Sequence, residues 1–276
     1  MHRRLSAWYW IGGAVLALNS MRGTVQGYRR ARPFGEGDRD RAYRYDIAVV
    51  DRWSSHAKFA DADILELGPG PDLGTGAEML RRGARSYLAL DAFPLARTVD
   101  PSFYESYWPN MAADLHYRVL PFSRISELDQ TFDLVVSNAC LEHVVDIDRM
   151  FDDLAHLIRP SGRMVHQIDA QTHSGPLRSR DPLNIYRFSD TEYRNLARYP
   201  GAPNRLLVDE YVRNAQAAGF VEVEVVGRRT LKASYVEHAA SKLAPRFRGR
   251  SALTHMSFFL LAHSPASGHA SAMTSG

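Results

Sequence analysis

The sequence predicts an α/β protein: a mostly parallel sheet with helices on both faces. Three observations predict it. Short apolar runs recur between residues 64 and 262, separated by stretches of helical periodicity, the order that covers a parallel sheet on both sides. The first two runs end in a glycine-rich turn and an aspartate, as strand–turn–helix units do. The 276 residues are 45% hydrophobic and 11% aromatic, enough to bury a full core and too apolar for a disordered chain.

Taken in order, residues 40–60 place Tyr43, Ile47, Val50 and Trp53 at near-helical spacing. Residues 64–67 form the first strand, and GPGPDLGTG follows as a turn. A helix over 77–82 stops at Gly83, and a second strand over 86–90 ends at Asp91. Residues 132–137 (FDLVVS) are the next strand, followed by a helix over 147–158 that Arg159-Pro160-Ser161-Gly162 terminates. Further strands are predicted at 163–168, 220–226 and 257–262, with a helix over 208–218 before the second of these. The domain plan is an N-terminal extension over 1–39, a main domain over 40–264 and a loose tail over 265–276. Two insertions interrupt the main domain, a lid over 170–209 and a second over 231–250.

Charge is distributed unevenly. Six of the 34 Lys+Arg and none of the 31 Asp+Glu fall in residues 1–35, giving +6, while the remainder, 28 basic against 31 acidic, carries −3. Between Arg4 and Arg22 runs the uncharged AWYWIGGAVLAL at 7–18, too short to span a bilayer. Three readings stand open: a helix packed on the body or on a twin subunit, a peripheral membrane anchor, and a signal peptide. Residues 1–35 are therefore a candidate membrane contact, and a homodimer is the alternative. The lone Cys140 excludes a disulfide framework and a cysteine zinc site and fits a reducing, cytoplasmic setting.

The first strand–turn–helix unit carries the strongest chemical signal. Gly68, Gly70 and Gly74 read G-x-G-x-x-x-G, one residue longer than the dinucleotide fingerprint. Glu66 stands two residues before the first glycine, where its charge would repel a pyrophosphate and attract a cationic amino acid. Asp91, 21 residues beyond Gly70, is placed to face a ribose diol. A ribose without a pyrophosphate, next to a cation, fits S-adenosylmethionine better than NAD.

With these motifs in view, the sequence resembles class I S-adenosylmethionine-dependent methyltransferases over roughly 62–262. The matching segments are ELGPGPDLGTG, LALDAF, FDLVVSNACLEHV and LIRPSGRMVHQID, in family order. The resemblance implies a Rossmann-like seven-stranded sheet whose last strand runs antiparallel, with 220–226 and 257–262 supplying the terminal pair. It also implies that Gly68, Gly70 and Gly74 hold the methionyl part, Asp91 the ribose and Phe93 the adenine side, with Asn138 at the end of the fourth strand. One departure from the family pattern is that 112–124 lacks the acid–small-residue pattern that often marks the adenine contact, with Asp114 a candidate there.

For catalysis, ligands in open parallel sheets lie beyond the carboxyl ends of the strands, so His143 after the fourth strand and Asp169 and His173 after the fifth are candidates. Some sugar and small-molecule O-methyltransferases resemble this arrangement, which implies a His143–Asp169 base pair. His166, inside the fifth strand, is a candidate substrate contact with a core role as its rival. No metal is expected. The 170–209 insertion offers Tyr186, Arg187, Asn204 and Arg205 as substrate contacts. With Arg178 and Arg180 its arginines would give a cationic wall suited to a sugar or a carboxylated metabolite. The function expected is methyl transfer to a hydroxyl of a small molecule, a sugar or secondary metabolite. The alternative is a non-catalytic cofactor-binding or scaffold subunit tethered through the N-terminal segment. A nucleic-acid substrate is disfavoured, because Ser137-Asn138-Ala139-Cys140 lacks the Asn/Asp-Pro-Pro-aromatic motif and no added binding domain is visible.

Overall fold

The structure, a computed structural model, describes residues 6–26, 38–96 and 101–264. The expected tail at 265–276 and five of the six N-terminal arginines lie outside the described residues. The chain begins with α1 (Ala7–Gln26) and α2 (Arg39–Ser54), then β1 (Asp63–Leu67), α3 (Gly74–Arg81), β2 (Ser86–Asp91), α4 (Pro101–Tyr107) and β3 (Leu115–Val119). It continues through β4 (Phe132–Asn138), α5 (Ile147–Leu157), β5 (Ile158–Asp169), α6 (Gly175–Arg180) and α7 (Asp190–Leu196). The closing elements are α8 (Val208–Ala217), β6 (Val221–Thr230), α9 (Ala233–Ala240) and β7 (His255–His263).

The seven strands form one sheet in the order β3-β2-β1-β4-β5-β7-β6. Strands β1 to β5 pair in parallel, and β7 runs antiparallel to both β5 and β6. Alternation along the central strands sends side chains to two separate cores. Leu65, Val135, Met164 and Leu260 join Phe151, Leu154 and Tyr211 on one face. Ile64, Leu134, Val165 and Leu261 join Val50, Trp53 and Met79 on the other. Both faces are dry, so these strands read as continuous apolar runs, as the sequence predicts.

Differences from the predicted elements have local causes. Strand β3 was not expected: LHYRV is half exposed at the sheet edge, so it has no apolar run to betray it. Helix α3 starts at Gly74, three residues early, because the Asp72 carboxylate accepts the Gly74 N–H at 3.0 Å and closes the turn sooner. Helix α5 does end at Leu157, but the chain enters β5 at once. Ile158 pairs with Phe132 and Arg163 with Leu134, so residues 159–162 make an excursion within the strand, with Ser161 at φ 68°.

Helix α1 packs on the segment between β5 and α8. The Asn184 amide donates to the Trp8 carbonyl at 2.8 Å, the Tyr9 hydroxyl to Glu192 at 2.6 Å, and the Ser20 hydroxyl to the Leu196 carbonyl at 2.5 Å. Two glycines allow this approach. A Cβ on Gly12 would lie 1.9 Å from Asn184 Oδ1, and one on Gly23 would lie 2.6 Å from Tyr199 Cβ. Of the three readings of 7–18, the helix packed on the body is the one observed. Below it, α7 opens with a capping box in which Ser189 and Glu192 each accept the other's backbone N–H.

Candidate active site at the switch point of the sheet

The chain runs β1, β2, β3 toward one edge and then crosses to β4 on the other side of β1. A crevice beyond the carboxyl ends of β1 and β4 is the expected ligand site in such a sheet. A cavity of about 530 Å³ lies there, within the usual range for small-molecule sites. Gly68 after β1, Asp91 at the end of β2 and Phe93 after it, Phe122 and Ser123 after β3, and Cys140 and His143 after β4 line it. Tyr199, Pro200 and Ala202 close it from the segment beneath α1.

The residues that position this cavity are held from behind. Gly68 takes φ 64°, and a Cβ there would meet Cys140 Sγ at 2.7 Å, so the β1 and β4 loops can touch only through a glycine. Ala139, beside it, is itself at φ 54°. The buried Asp91 carboxylate accepts the Phe93 N–H at 3.1 Å, and the Phe93 carbonyl accepts from the Tyr117 hydroxyl at 2.8 Å.

Four predicted cofactor residues, Glu66, Gly70, Gly74 and Asn138, stand off the cavity lining. Glu66 is 2% exposed, and its Oε2 accepts from the Thr75 hydroxyl at 2.6 Å and the Tyr87 hydroxyl at 2.7 Å. Its carboxylate thus stands behind the turn and outside the cavity lining. Burial, together with that charge, raises the Tyr87 hydroxyl well above its usual value. Gly74 is the first residue of α3, where a Cβ would lie 2.2 Å from the buried Asp46 carboxylate, so it serves helix packing. The Asn138 amide donates to the Tyr45 hydroxyl of α2 at 3.0 Å. Gly70, at φ 88°, shapes the turn.

On the catalytic side, the structure brings His143 and His173 together, with ring centroids 4.9 Å apart and nearly perpendicular planes. It does not supply the His143–Asp169 pair. The Asp169 carboxylate is taken by Arg178 and by the Gln171 amide at 2.9 Å. The acid at this place is Glu142, 1% exposed, with Oε1 3.6 Å from His173 Nε2. His173 Nδ1 lies 2.8 Å from the Gln171 carbonyl, which can only accept, so Nδ1 carries the proton and Nε2 faces Glu142. Burial alone would lower the His173 pKa, but the hydrogen bond and charge of Glu142, aided by Asp169, outweigh it and raise it.

The predicted substrate contacts resolve differently again. His166 is fully buried beside the Ser137 hydroxyl at 2.8 Å, and desolvation lowers its pKa to about 3, so it is a neutral core residue. Tyr186 is buried and donates to the Ala170 carbonyl at 2.6 Å. Arg187 forms a two-pronged pair with Asp181 at 2.7 and 2.8 Å. Arg205 spans the Phe188 carbonyl at 2.7 Å and Asp190, under the Tyr193 ring. None of these four lines the cavity, and of the expected cationic wall Arg178, Arg187 and Arg205 pair inside the protein, with Asp169, Asp181 and Asp190. Among the described residues, Arg149 is the only arginine in the lining. Asn204 has a different part: its amide donates to the Leu141 and Val144 carbonyls, both at 2.9 Å, and so clamps the turn that carries His143. Phe122 and Ser123 were missed because β3 was missed. Asp114 stands before that strand rather than after it and does not line the cavity.

The sheet order, the antiparallel β7 and a cleft at the β1/β4 switch point define the class, that of the Rossmann-like methyltransferase fold. The chain matches the profile of the family described as a methyltransferase domain over residues 38–259, and it belongs to that family. Its methyl donor is S-adenosylmethionine. The cavity fits that donor: a buried acid at the end of β2, the aromatic side chains of Phe93 and Phe122 in the lining, and a glycine turn at φ 64° beside the acid, where the Gly68 N–H donates to the Leu90 carbonyl at 2.8 Å. A ubiquinone biosynthesis O-methyltransferase from Sinorhizobium fredii is 30% identical over 105 residues, which is 37% of this chain and 38% of that protein. This chain therefore matches little more than a third of that relative's length. Among solved structures, an O-methyltransferase family protein from Burkholderia thailandensis superposes with a TM-score of 0.52 at 15% identity, covering 95% of this chain and 72% of the other. A protein from Galdieria sulphuraria assigned as a sarcosine dimethylglycine methyltransferase also gives 0.52, at 16% identity and over 92% and 98% of the two chains. Both share the fold.

Proposed function

We propose that the protein methylates a hydroxyl group on a small molecule with an apolar body, a secondary metabolite rather than a sugar, using His143 as the base. One observation carries this reading: Asp91 and His143 line the same cavity, together with Phe122, Cys140, Val144, Met150 and Tyr199. When bound, S-adenosylmethionine supplies an electrophilic methyl group on a sulfonium that leaves as a neutral thioether. Asp91 would accept hydrogen bonds from the ribose hydroxyls, Gly68 would let the methionyl part approach the backbone, and Phe93 and Phe122 would flank the adenine.

His143 would accept the hydroxyl proton, a role worth about 10²–10⁴-fold in such reactions. Glu142 and His173 would orient it from behind, and Asn204 holds the turn on which it stands. The wall from Tyr199 to Ala202 would exclude water while nucleophile and methyl are aligned. An oxygen acceptor is also in keeping with the name of the partial relative from Sinorhizobium fredii.

The deciding experiment incubates the protein with methyl-labelled S-adenosylmethionine and a panel of phenols, aliphatic alcohols, sugars and amines, read by mass spectrometry. Label on a phenolic or alcoholic oxygen supports the reading. Label on amines alone, or on none of the panel while the donor still binds, overturns it.

A further inference from the structure

We propose that α1 is a docking surface for an anionic lipid bilayer, lying along the membrane with the side opposite its packed face in the lipid. From Ala7 to Leu18 the helix carries no charged side chain and, apart from the Tyr9 hydroxyl and the Trp indole N–H groups, no polar one; no charged residue stands between Arg4 and Arg22. Its Gly12, Leu16 and Gly23 side is spent on the protein. The other side shows Ala7, Ile11, Ala14, Leu18 and Met21 at alternating spacings of four and three residues, all exposed, with Ile11 at 45%, Leu18 at 51% and Met21 at 66%. Trp10, beside them, is 65% exposed. These are four of the six large hydrophobic side chains exposed among the described residues. An apolar helix with one dry face needs a second apolar environment for the other.

Charge decides between a bilayer and a second copy of the chain. Of the six arginines of residues 1–35, Arg22 lies within this helix and the other five flank it in the sequence, two before and three after, with no acid among them, while the rest of the chain is net negative. Pairing α1 with its own copy, in either direction, would set +6 against +6. An anionic leaflet is complementary to the same belt, and tryptophan is the residue favoured at its interface. No helix among the described residues is long and apolar enough to cross a membrane, so the contact is along the surface. The placement also has a functional side. Gly23 packs on Tyr199 and Pro200, which line the cavity, so docking would bring a cavity wall to the lipid surface. This last consequence rests on the proposed apolar acceptor; the docking does not.

The test is flotation of the full chain with vesicles of phosphatidylcholine alone or of phosphatidylcholine with phosphatidylglycerol, alongside light scattering without lipid. Binding to the anionic vesicles should be at least about tenfold tighter than to the neutral ones and should weaken as salt is raised. Leu18→Glu and Arg22→Glu should each weaken it several-fold. Calorimetry with S-adenosylmethionine should be unchanged in both variants, which shows that they are folded and reads the cofactor site separately. Absence of vesicle binding, equal binding to both vesicle types, or unchanged binding by Leu18→Glu would each overturn the proposal. So would a dimer that Leu18→Glu converts to monomer, since a second copy would then own the face.

Discussion

The strand ends around the cavity and the 170–207 segment beside it use their polar residues in opposite ways. At the ends of β1, β2 and β4, Gly68, Asp91 and His143 face an open space. In the neighbouring segment Arg187 is 3% and Arg205 4% exposed, and each is bound to an acid of the same segment, Asp181 or Asp190. The difference is one of desolvation. A charged group taken out of water must find a partner inside the protein, so a long connection that folds into a solid layer spends its arginines on itself. Parallel strands need nothing from their termini for pairing, which leaves those side chains for a ligand.

Substitutions on the two sides should therefore separate function from stability. His143→Ala should lower kcat by about 10²–10⁴-fold and leave the calorimetric affinity for S-adenosylmethionine near that of the parent. An unchanged kcat would make His143 a structural residue and dissolve the contrast. Arg187→Ala should do the reverse, destabilising the fold by about 3–5 kcal/mol in urea, because it leaves the 1% exposed Asp181 without its cation. A stable Arg187→Ala protein with weakened acceptor binding would return this arginine to the site.

Asp91→Ala should cost about 1.5–3 kcal/mol of donor affinity, roughly 10–100-fold in Kd, through loss of charge-assisted hydrogen bonds. Equal affinity of variant and parent would remove Asp91 from the ribose. The smallest effect is a slope. His166 has its pKa lowered from 6.5 to about 3 by burial, so the folded state resists its protonation. Its contribution to stability is complete above pH 6.5 and is lost as pH falls from there toward 3, at up to about 1.4 kcal/mol per pH unit. The raised pKa of His173 acts with the opposite sign: it stabilises below 6.5, and that stabilisation fades as pH rises through its folded value. Urea midpoints between pH 6.5 and 4 should fall more steeply in the parent than in His166→Asn. Parallel curves would show that His166 is not the titrating core group.

How far the site could be read from the sequence follows the same division. Gly68, Asp91 and His143 were legible because each stands directly after an apolar run, and a strand end has one place in a parallel sheet. Phe122 and Ser123 were not, since β3 is a half-exposed edge strand without such a run. The resemblance pairs His143 with Asp169, whereas the structure sets Glu142, its neighbour in the chain, against His173. Nothing local showed that Arg178 and Gln171 would take Asp169 first. In the sequence the 170–209 arginines present a cationic wall, because their partners are set only when the segment folds. The acids at 181 and 190 were in plain view, but which cation meets which acid depends on how that layer folds.

Alternating apolar runs and glycine turns, acting within a few residues of themselves, determined the order of strands and helices, the parallel core and the place of the donor turn. Only tertiary structure decided which buried charges neutralise one another, that His173 meets Glu142, and that α1 spends one face on the protein and leaves the other bare. Such choices depend on distances between segments far apart in the chain. The burial that sets their energy does not exist until those segments have packed.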